Sequence, residues 1–297
     1  MHGKVELARV GGYGGAVVDR RDLQAVLVTA ATACGVQQHL DCAFAKVERR
    51  GAGARVTCTS GATFDADVVV GADGIRSAVR AQLFGSEPYR WAGYYNFRGV
   101  SPVRLPVERS IRFVVGADCH IIACALSGGR SLFSFFLAGS AETHENWRVS
   151  CTDAERAVMQ RSLVGCDPEI VDVIEHADAF FGSGIHDREP IAEWTTPELP
   201  MVTLLGDAAH PSTPHLGRGA SAAIEDGVAL ARALAEHRDP PAGLVAYRAT
   251  RQPLTAKMVL AARGLGAMTQ SAQIPVADKL ERLLGMMRAA QAAIGSS

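Results

Sequence analysis

The alternation of apolar and polar positions along the chain predicts both helices and strands. Apolar residues recur at the spacing of one helix face at Leu23, Val26, Leu27 and Ala30. Asp19 stands where a helix N-cap is expected, and Gly35 stands where a helix commonly ends. We therefore expect the end of a strand near Val17, followed by a helix that runs to Gly35.

Short β-rich segments predict several strands. Residues 42–49 and 54–59 are typical of two strands joined by a glycine turn. Residues 67–71 and 201–205 are unbroken apolar runs, which is typical of strands buried on both faces of a parallel sheet. Residues 93–137 alternate among β-rich runs with Gly or Ser turns, and we expect an antiparallel sheet there.

Helical patterns complete the organisation of the chain. They cover residues 151–177 and 219–237, where Asp239-Pro240-Pro241 follows, and two further stretches before the C-terminus. The expected fold class is α/β with an α+β mixed character. It consists of a parallel, Rossmann-like sheet with an inserted antiparallel sheet and C-terminal helices.

Composition excludes several classes of function. The chain has 297 residues, of which 48% are hydrophobic, and this indicates a globular protein. A net charge of −1 favours neither nucleic acid nor a charged membrane as a partner. The N-terminal sequence lacks the apolar core of a signal peptide, and no uncharged apolar run is long enough for a membrane span. Seven cysteines without a C-x-x-C pair predict reduced thiols in the cytoplasm and no zinc site.

The first candidate motif is VVVGADGIRSAVR, residues 68–80. A strand ends at Gly71, turns through Asp73-Gly74 and leads into a short helix that Ser77 can cap. Backbone amides at such glycines can approach a phosphate or ribose, and Asp73 can accept hydrogen bonds from hydroxyl groups. A tight turn with Asp73 as a local cap explains the same residues, and the motif alone favours neither interpretation.

The second candidate motif is LLGDAAHPSTPHLGRGASAAIEDGVALARAL, residues 204–234. A strand leads into Gly206-Asp207, and Pro211 and Pro214 stiffen the loop that follows. Residues 217–220 open a long helix whose start offers free N–H donors and a positive dipole end, which suits an anion. The apolar positions of this helix that share one face are Ile224, Val228, Ala231 and Leu234.

The two motifs, in this order, resemble the DG and GD motifs of the FAD-dependent aromatic-ring hydroxylases. These are single-component flavoprotein monooxygenases of the salicylate hydroxylase type. The segments FRGV and DREPIAEW are also similar to that family, and RRDLQAVL resembles its R-x-x-L helix start, with Arg20 at the arginine. The resemblance covers about residues 15–260.

The resemblance implies FAD as cofactor, NADH or NADPH as co-substrate, and ten cofactor-binding residues. These are Arg20, Asp73, Gly74, Gly206, Asp207, Pro214, Gly217, Arg218, Gly219 and Ala220. Arg20 would reach the FAD pyrophosphate, Asp207 a ribityl or ribose hydroxyl, and the backbone of 217–220 the pyrimidine end of the flavin. Arg218 replaces the more usual Gln. It would stabilise an anionic ring, bind an acidic substrate, or point to solvent.

The implied reaction is hydroxylation of a small, phenol-like aromatic substrate by O₂ through a flavin C4a-hydroperoxide. Metals and protein nucleophiles are not required, and no catalytic residue is assigned. His210 and His215 are more readily explained as structural loop residues than as proton relays. Tyr94, Arg98 and His120 lie on the expected substrate sheet, where period-two alternation leaves open which face each takes. A flavin epoxidase or hydroxylase of an isoprenoid ring is the alternative within this class.

The family begins with a strand, a G-x-G-x-x-G turn and a helix, and VGGYGG (residues 10–15) does not match that spacing. We expect an incomplete FAD-binding domain at 1–88 and 200–250, without its first βαβ unit. A substrate-binding sheet domain is expected at 89–199 and a helical segment at 251–297. Such a chain would bind FAD poorly, form a homodimer, or take the missing segment in trans. The alternative class is a non-catalytic remnant that acts as a binding module.

Overall fold

The computed structural model describes residues 5–10, 18–106, 111–116, 119–139, 149–150, 152–177 and 181–294. The glycine cluster at residues 11–15 lies outside the described residues. Within the described residues, no helix is long and apolar enough to cross a membrane.

The described residues form twelve strands and seven α-helices, in an alternating order that confirms the mixed fold class. The strands are β1 (Val5–Val10), β2 (Phe44–Arg50), β3 (Gly53–Cys58), β4 (Thr63–Ala66), β5 (Val69–Gly71), β6 (Arg90–Ser101), β7 (Ile111–Val115), β8 (Cys119–Ala125), β9 (Ser131–Ala138), β10 (Val149–Ser150), β11 (Phe181–Asp187) and β12 (Val202–Leu204). The helices are α1 (Arg20–Ala33), α2 (Ala78–Phe84), α3 (Asp153–Ser162), α4 (Pro168–Glu175), α5 (Gly219–Glu236), α6 (Pro240–Gln270) and α7 (Val276–Ile294).

The chain divides into two compact units. The first comprises residues 1–37, 91–185 and 266–297, and the second comprises residues 38–90 and 186–265. The predicted domain boundaries were placed by resemblance rather than by contacts, and they stay a prediction.

The first unit contains a seven-stranded sheet in the order β1-β7-β8-β9-β6-β11-β10. Strands β6 to β9 pair antiparallel, which confirms the sheet predicted for residues 93–137. Its two faces differ, because successive side chains in a strand point to opposite sides. One face, with Phe97 and Phe135, forms a buried core with α3 and α4 through Met159 and Ile170.

Helix α1 forms where the periodicity predicts it. The Asp19 side chain accepts a hydrogen bond from the Arg21 backbone N–H at 2.9 Å and so acts as the N-cap. No residue of α1 is buried among the described residues, and Val26 and Leu27 are 66% and 51% exposed. The apolar stripe that predicts this helix therefore faces solvent.

The second unit contains a three-stranded antiparallel sheet, β2-β3-β4, and a two-stranded parallel sheet of β5 and β12. The parallel pairing of the two apolar runs confirms part of the prediction. β12 is fully buried, but Val70 in β5 is 37% exposed, so the expectation of burial on both faces was wrong for β5.

Helix α5 buries a different face from the one its apolar positions indicate. Ile224 and Val228 are each about half exposed, whereas the buried positions are Ala222, Asp226, Leu230 and Ala233. The buried face is centred on a carboxylate, so a pattern that counts only apolar residues selects the wrong side of the helix.

Candidate functional site

The loop after β12 begins with Gly206, which turns the chain sharply at the end of the strand. Its φ angle is +60°, a left-handed conformation that favours glycine. A Cβ atom at this position would lie 3.1 Å from the Ala223 Cβ in α5. The loop and α5 therefore pack closely because residue 206 has no side chain, and this places Asp207 beside the start of α5.

Asp226 fixes this loop from inside α5. Its Oδ2 atom accepts the Gly206 N–H at 3.1 Å and the His210 Nε2–H at 2.5 Å, and its Oδ1 accepts the Arg251 Nε–H at 2.7 Å. Burial alone would raise the pKa of this fully buried carboxyl. The bonds from His210, Arg251 and Gly206 outweigh burial, and the pKa lies below its usual value. His210 is thus a structural residue, as predicted.

The first turn of α5 receives no side-chain cap from its own N-cap residue. Gly217 ends a 3-10 turn (Pro214–Leu216) with a φ of +62°, and Arg218 takes the N-cap position without a side-chain bond to the helix. The Oδ1 atom of Asp207 lies 4.0 Å from where a Cβ on Gly219 would stand. The Asp207 carboxylate therefore lies beside the start of α5, where the helix dipole favours negative charge.

Arg218 points along α5 and not over its first turn. Its Nη2 donates to Glu225 Oε1 at 2.7 Å, and both side chains are about half exposed. Of the alternatives that the sequence left open for Arg218, this arrangement favours the solvent-facing one.

The turn after β5 places Asp73 at the N-terminus of α2. Its Oδ2 accepts the backbone N–H groups of Ala78 and Val79 at 2.7 and 3.2 Å, and its Oδ1 accepts the Ser77 hydroxyl. Ser77 in turn caps the helix by accepting the Arg80 N–H at 2.8 Å. The sequence left two interpretations of Asp73 open. The geometry supports the one in which Asp73 is a local cap.

Arg80 connects the two motifs directly. Its fully buried guanidinium donates from Nη1 to the carbonyls of Ala208 and Ala209 at 3.4 and 3.0 Å, and from Nη2 to Glu87 at 2.7 Å. The first motif therefore holds the loop of the second, although the two are about 130 residues apart. Sequence reasoning missed this role, as it missed Asp226 and Arg251, because a partner distant in sequence leaves no local pattern.

His215 lies in the 3-10 turn and is buried. Its Nδ1 lies 3.3 Å from the Thr213 hydroxyl. Burial lowers the pKa of the imidazole to about 4, so the ring is neutral at neutral pH. This supports the structural interpretation, because a proton relay requires a pKa closer to the working pH.

In the first unit, the sheet face opposite α3 and α4 carries the polar and aromatic residues predicted for a substrate site. Tyr94, Arg98 and His120 all belong to this face by register, with Phe136 between the strands that carry Tyr94 and His120. His120 stacks on Phe136 with ring centroids 4.1 Å apart. Gln270 Nε2 donates to His120 Nδ1 at 3.0 Å, which places the proton of a neutral ring on Nε2.

The ten predicted cofactor residues fall in both units. Arg20 begins α1 in the first unit, and the other nine belong to the second unit, seven of them in loops and turns and Gly219 and Ala220 in the first turn of α5. The described residues contain no group of three or more His, Cys, Asp or Glu side chains that could hold a metal ion.

A parallel strand pair whose ends carry glycine turns and a helix start defines the class of dinucleotide-binding α/β proteins. The model of the family described as FAD binding domain matches residues 15–262, and the chain belongs to that family. This family membership confirms the resemblance inferred from the motifs.

Individual relatives are similar over most of this chain. The aurachin C monooxygenase/isomerase of Stigmatella aurantiaca is 35% identical over 78% of this chain and 59% of its own length. The 3-hydroxybenzoate 6-hydroxylase of Polaromonas naphthalenivorans is 30% identical over 84% and 62%, respectively. Among solved structures, Klebsiella pneumoniae HpxO complexed with FAD and uric acid is 28% identical, with a TM-score of 0.78 over 91% of this chain and 70% of that one. The chain spans about three-fifths of the length of these two curated relatives.

Proposed function

We propose that the protein is an FAD-dependent monooxygenase that uses NADH or NADPH and O₂ to hydroxylate a small aromatic substrate. The observation that carries the proposal is the position of the Asp207 carboxylate beside the start of α5, within a family match that spans residues 15–262. The relatives named monooxygenase and hydroxylase support the reaction class, and HpxO complexed with FAD supports the cofactor.

The donors and acceptors of the second unit suit the parts of FAD. In our proposal, Asp207 accepts a hydrogen bond from a ribityl or ribose hydroxyl. The amides of Gly219 and Ala220 donate to the pyrimidine end of the flavin, where a helix N-terminus stabilises negative charge. Asp73 and Gly74 lie near the cofactor's phosphate and ribose, with Asp73 acting through the α2 amides that it orders, and Arg20 binds the pyrophosphate. Bound FAD would supply oxygen activation and transfer, for which reducing equivalents come from the nicotinamide.

The loop network keeps these groups in place without reorganisation. Asp226 and Arg80 hold Gly206 and the Ala208 and Ala209 carbonyls, so the backbone around Asp207 is fixed before a ligand binds. On the first unit, we propose that the buried side chains of Tyr94, His120 and Phe136 support the sheet on the side where the substrate ring binds and keep water out of it.

Titration of the purified chain with FAD tests the cofactor proposal. Flavin fluorescence and the visible spectrum should report a weak but saturable complex, because residues 10–15 do not match the G-x-G-x-x-G turn, and Asp207→Ala should raise its Kd at least about tenfold through loss of a charge-assisted hydrogen bond. Asp65→Ala is the matched control, because Asp65 lies on β4 and pairs with Arg55. Absence of any complex would instead favour the binding-module alternative.

The reaction class is tested on the flavin-loaded protein. Addition of phenolic acids should stimulate NADH or NADPH oxidation, and mass spectrometry should show a product heavier by one oxygen atom that derives from ¹⁸O₂. Oxidation of NADH or NADPH without any hydroxylated product, across a panel of phenols, would contradict the proposed substrate class.

A further inference from the structure

Arg98 holds a positive charge on the aromatic face of the first unit. Its Nη2 donates to the Ser183 hydroxyl at 3.1 Å, and its guanidinium lies 5.2 Å from the centre of the Phe181 ring. Its Nε atom is buried and has no acceptor among the described residues. A neutral hydroxyl and a ring face are thus the contacts of this cation in the described part of the chain.

Another arginine of the same sheet, Arg112, has the ion pairs that a structural guanidinium makes in this unit. Its two Nη atoms donate to Asp167 and Glu169 at 2.6 and 2.5 Å, and the pair fixes the start of α4 to the sheet. Arg98 has no such carboxylate within the described ranges. A buried donor without an acceptor is costly, and a bound ion is one way in which a protein completes such a group.

Burial of Arg98 disfavours its charge. Burial lowers the pKa of the Arg98 guanidinium, and the charge of Arg20 contributes a smaller effect in the same direction. An anion that accepts the free Nε–H would offset both effects.

We propose that Arg98 binds an oxyanion whose planar or tetrahedral oxygens accept its Nε–H. Guanidinium groups bind both carboxylates and phosphates in this way. The oxyanion has two possible sources, the carboxylate of an aromatic substrate and the diphosphate of a nucleotide cofactor. The inference rests on the proposed function only for the choice of these two sources.

Calorimetric titration of the flavin-free chain in a Tris-chloride buffer tests the proposal. The probes are inorganic diphosphate, benzoate and the neutral benzamide. Arg98→Gln should weaken binding of the effective anion at least about tenfold, as expected for loss of a charge-assisted hydrogen bond. Arg20→Gln should weaken it to a lesser degree, because Arg20 is exposed. Arg55→Gln is the control, since Arg55 is already neutralised by Asp65 through two bonds of 2.6 Å.

The outcomes separate the sources. Binding of benzoate but not benzamide assigns the site to a substrate carboxylate, binding of diphosphate alone assigns it to a cofactor, and binding of both assigns a shared oxyanion site. Equal affinities for wild type and Arg98→Gln, or no binding of either anion, overturn the proposal. The titration uses flavin-free protein, so its result can be interpreted even if the chain does not bind FAD.

Thermal unfolding adds a readout that separates ligand binding from a structural role. Without added anion, Arg98→Gln should have a Tm equal to or above that of the wild type, because the variant removes an unpaired charge. The rise in Tm that the effective anion causes in the wild type should be lost. A clear fall in Tm for Arg98→Gln in anion-free buffer would show a structural arginine and overturn the proposal.

Discussion

The carboxylate of Asp226 accepts the backbone N–H of Gly206 at 3.1 Å, so a buried helix residue holds the loop that carries Asp207. Replacing Asp226 with Ala should destabilise the fold by roughly 3–5 kcal/mol, since His210 and Arg251 lose the charge to which they are bonded. Urea unfolding followed by circular dichroism measures the change. Glu193→Ala removes an exposed carboxylate paired with Arg248 and should cost less than about 1 kcal/mol. Equal losses for both variants would contradict the buried network.

Replacing Gly206 or Gly227 with alanine should change the free energy of unfolding in opposite directions. Gly206→Ala requires a left-handed alanine and a contact 3.1 Å from the Ala223 Cβ, so we expect a loss of about 1–2 kcal/mol or more. Gly227→Ala lies inside α5 with open space around the added Cβ and should gain about 0.5–1 kcal/mol. Thermal or urea unfolding of the two variants measures both signs, and destabilisation by Gly227→Ala would show that the helix is packed differently.

Burial of His215 should make stability depend on pH. The folded pKa of about 4 lies below the ordinary value of 6.5, so between these values the unfolded chain binds a proton that the folded chain does not. Stability should therefore fall as the pH drops from 6.5 to 4. The contribution is up to about 3 kcal/mol, at 1.36 kcal/mol per pKa unit.

The pH effect can be assigned to one residue by urea unfolding at several pH values. His215→Leu should flatten the dependence in this window relative to wild type. His176→Leu removes an exposed histidine and should retain most of it. An unchanged slope in His215→Leu would show that the ring is accessible to protons in the fold.

Thiol reactivity should follow burial. Cys34 at the end of α1 is exposed and should react rapidly with a maleimide in the native protein. Cys124 is buried, and burial raises the pKa of its thiol to about 11, so thiolate is scarce at neutral pH and labelling should be slow until the protein unfolds. Peptide mass spectrometry over time distinguishes the two sites. Comparable rates at Cys34 and Cys124 would contradict the fold around β8.

The sequence by itself determined the elements and the family. Periodicity placed α1, the antiparallel sheet and the C-terminal helices, and Asp19 and Ser77 were recognisable as caps because a cap acts within three residues of itself. The two glycine motifs resemble those of the family, and the family model that matches residues 15–262 confirms the resemblance. The ligand roles of the ten cofactor residues stay predictions, which the FAD titration tests.

Only the tertiary structure showed which residues, distant in sequence, contact the glycine loop and the sheet face. It selected the buried face of α5 around Asp226, which pairs with Arg251 from another helix, and it brought Arg80 to the carbonyls of Ala208 and Ala209. It also left Arg98 with a neutral partner where Arg112 has two carboxylates. These outcomes depend on burial and on partners far apart in the chain. A local hydrophobic pattern reports which residues can be buried, whereas the energy of a buried charge depends on what packing places against it.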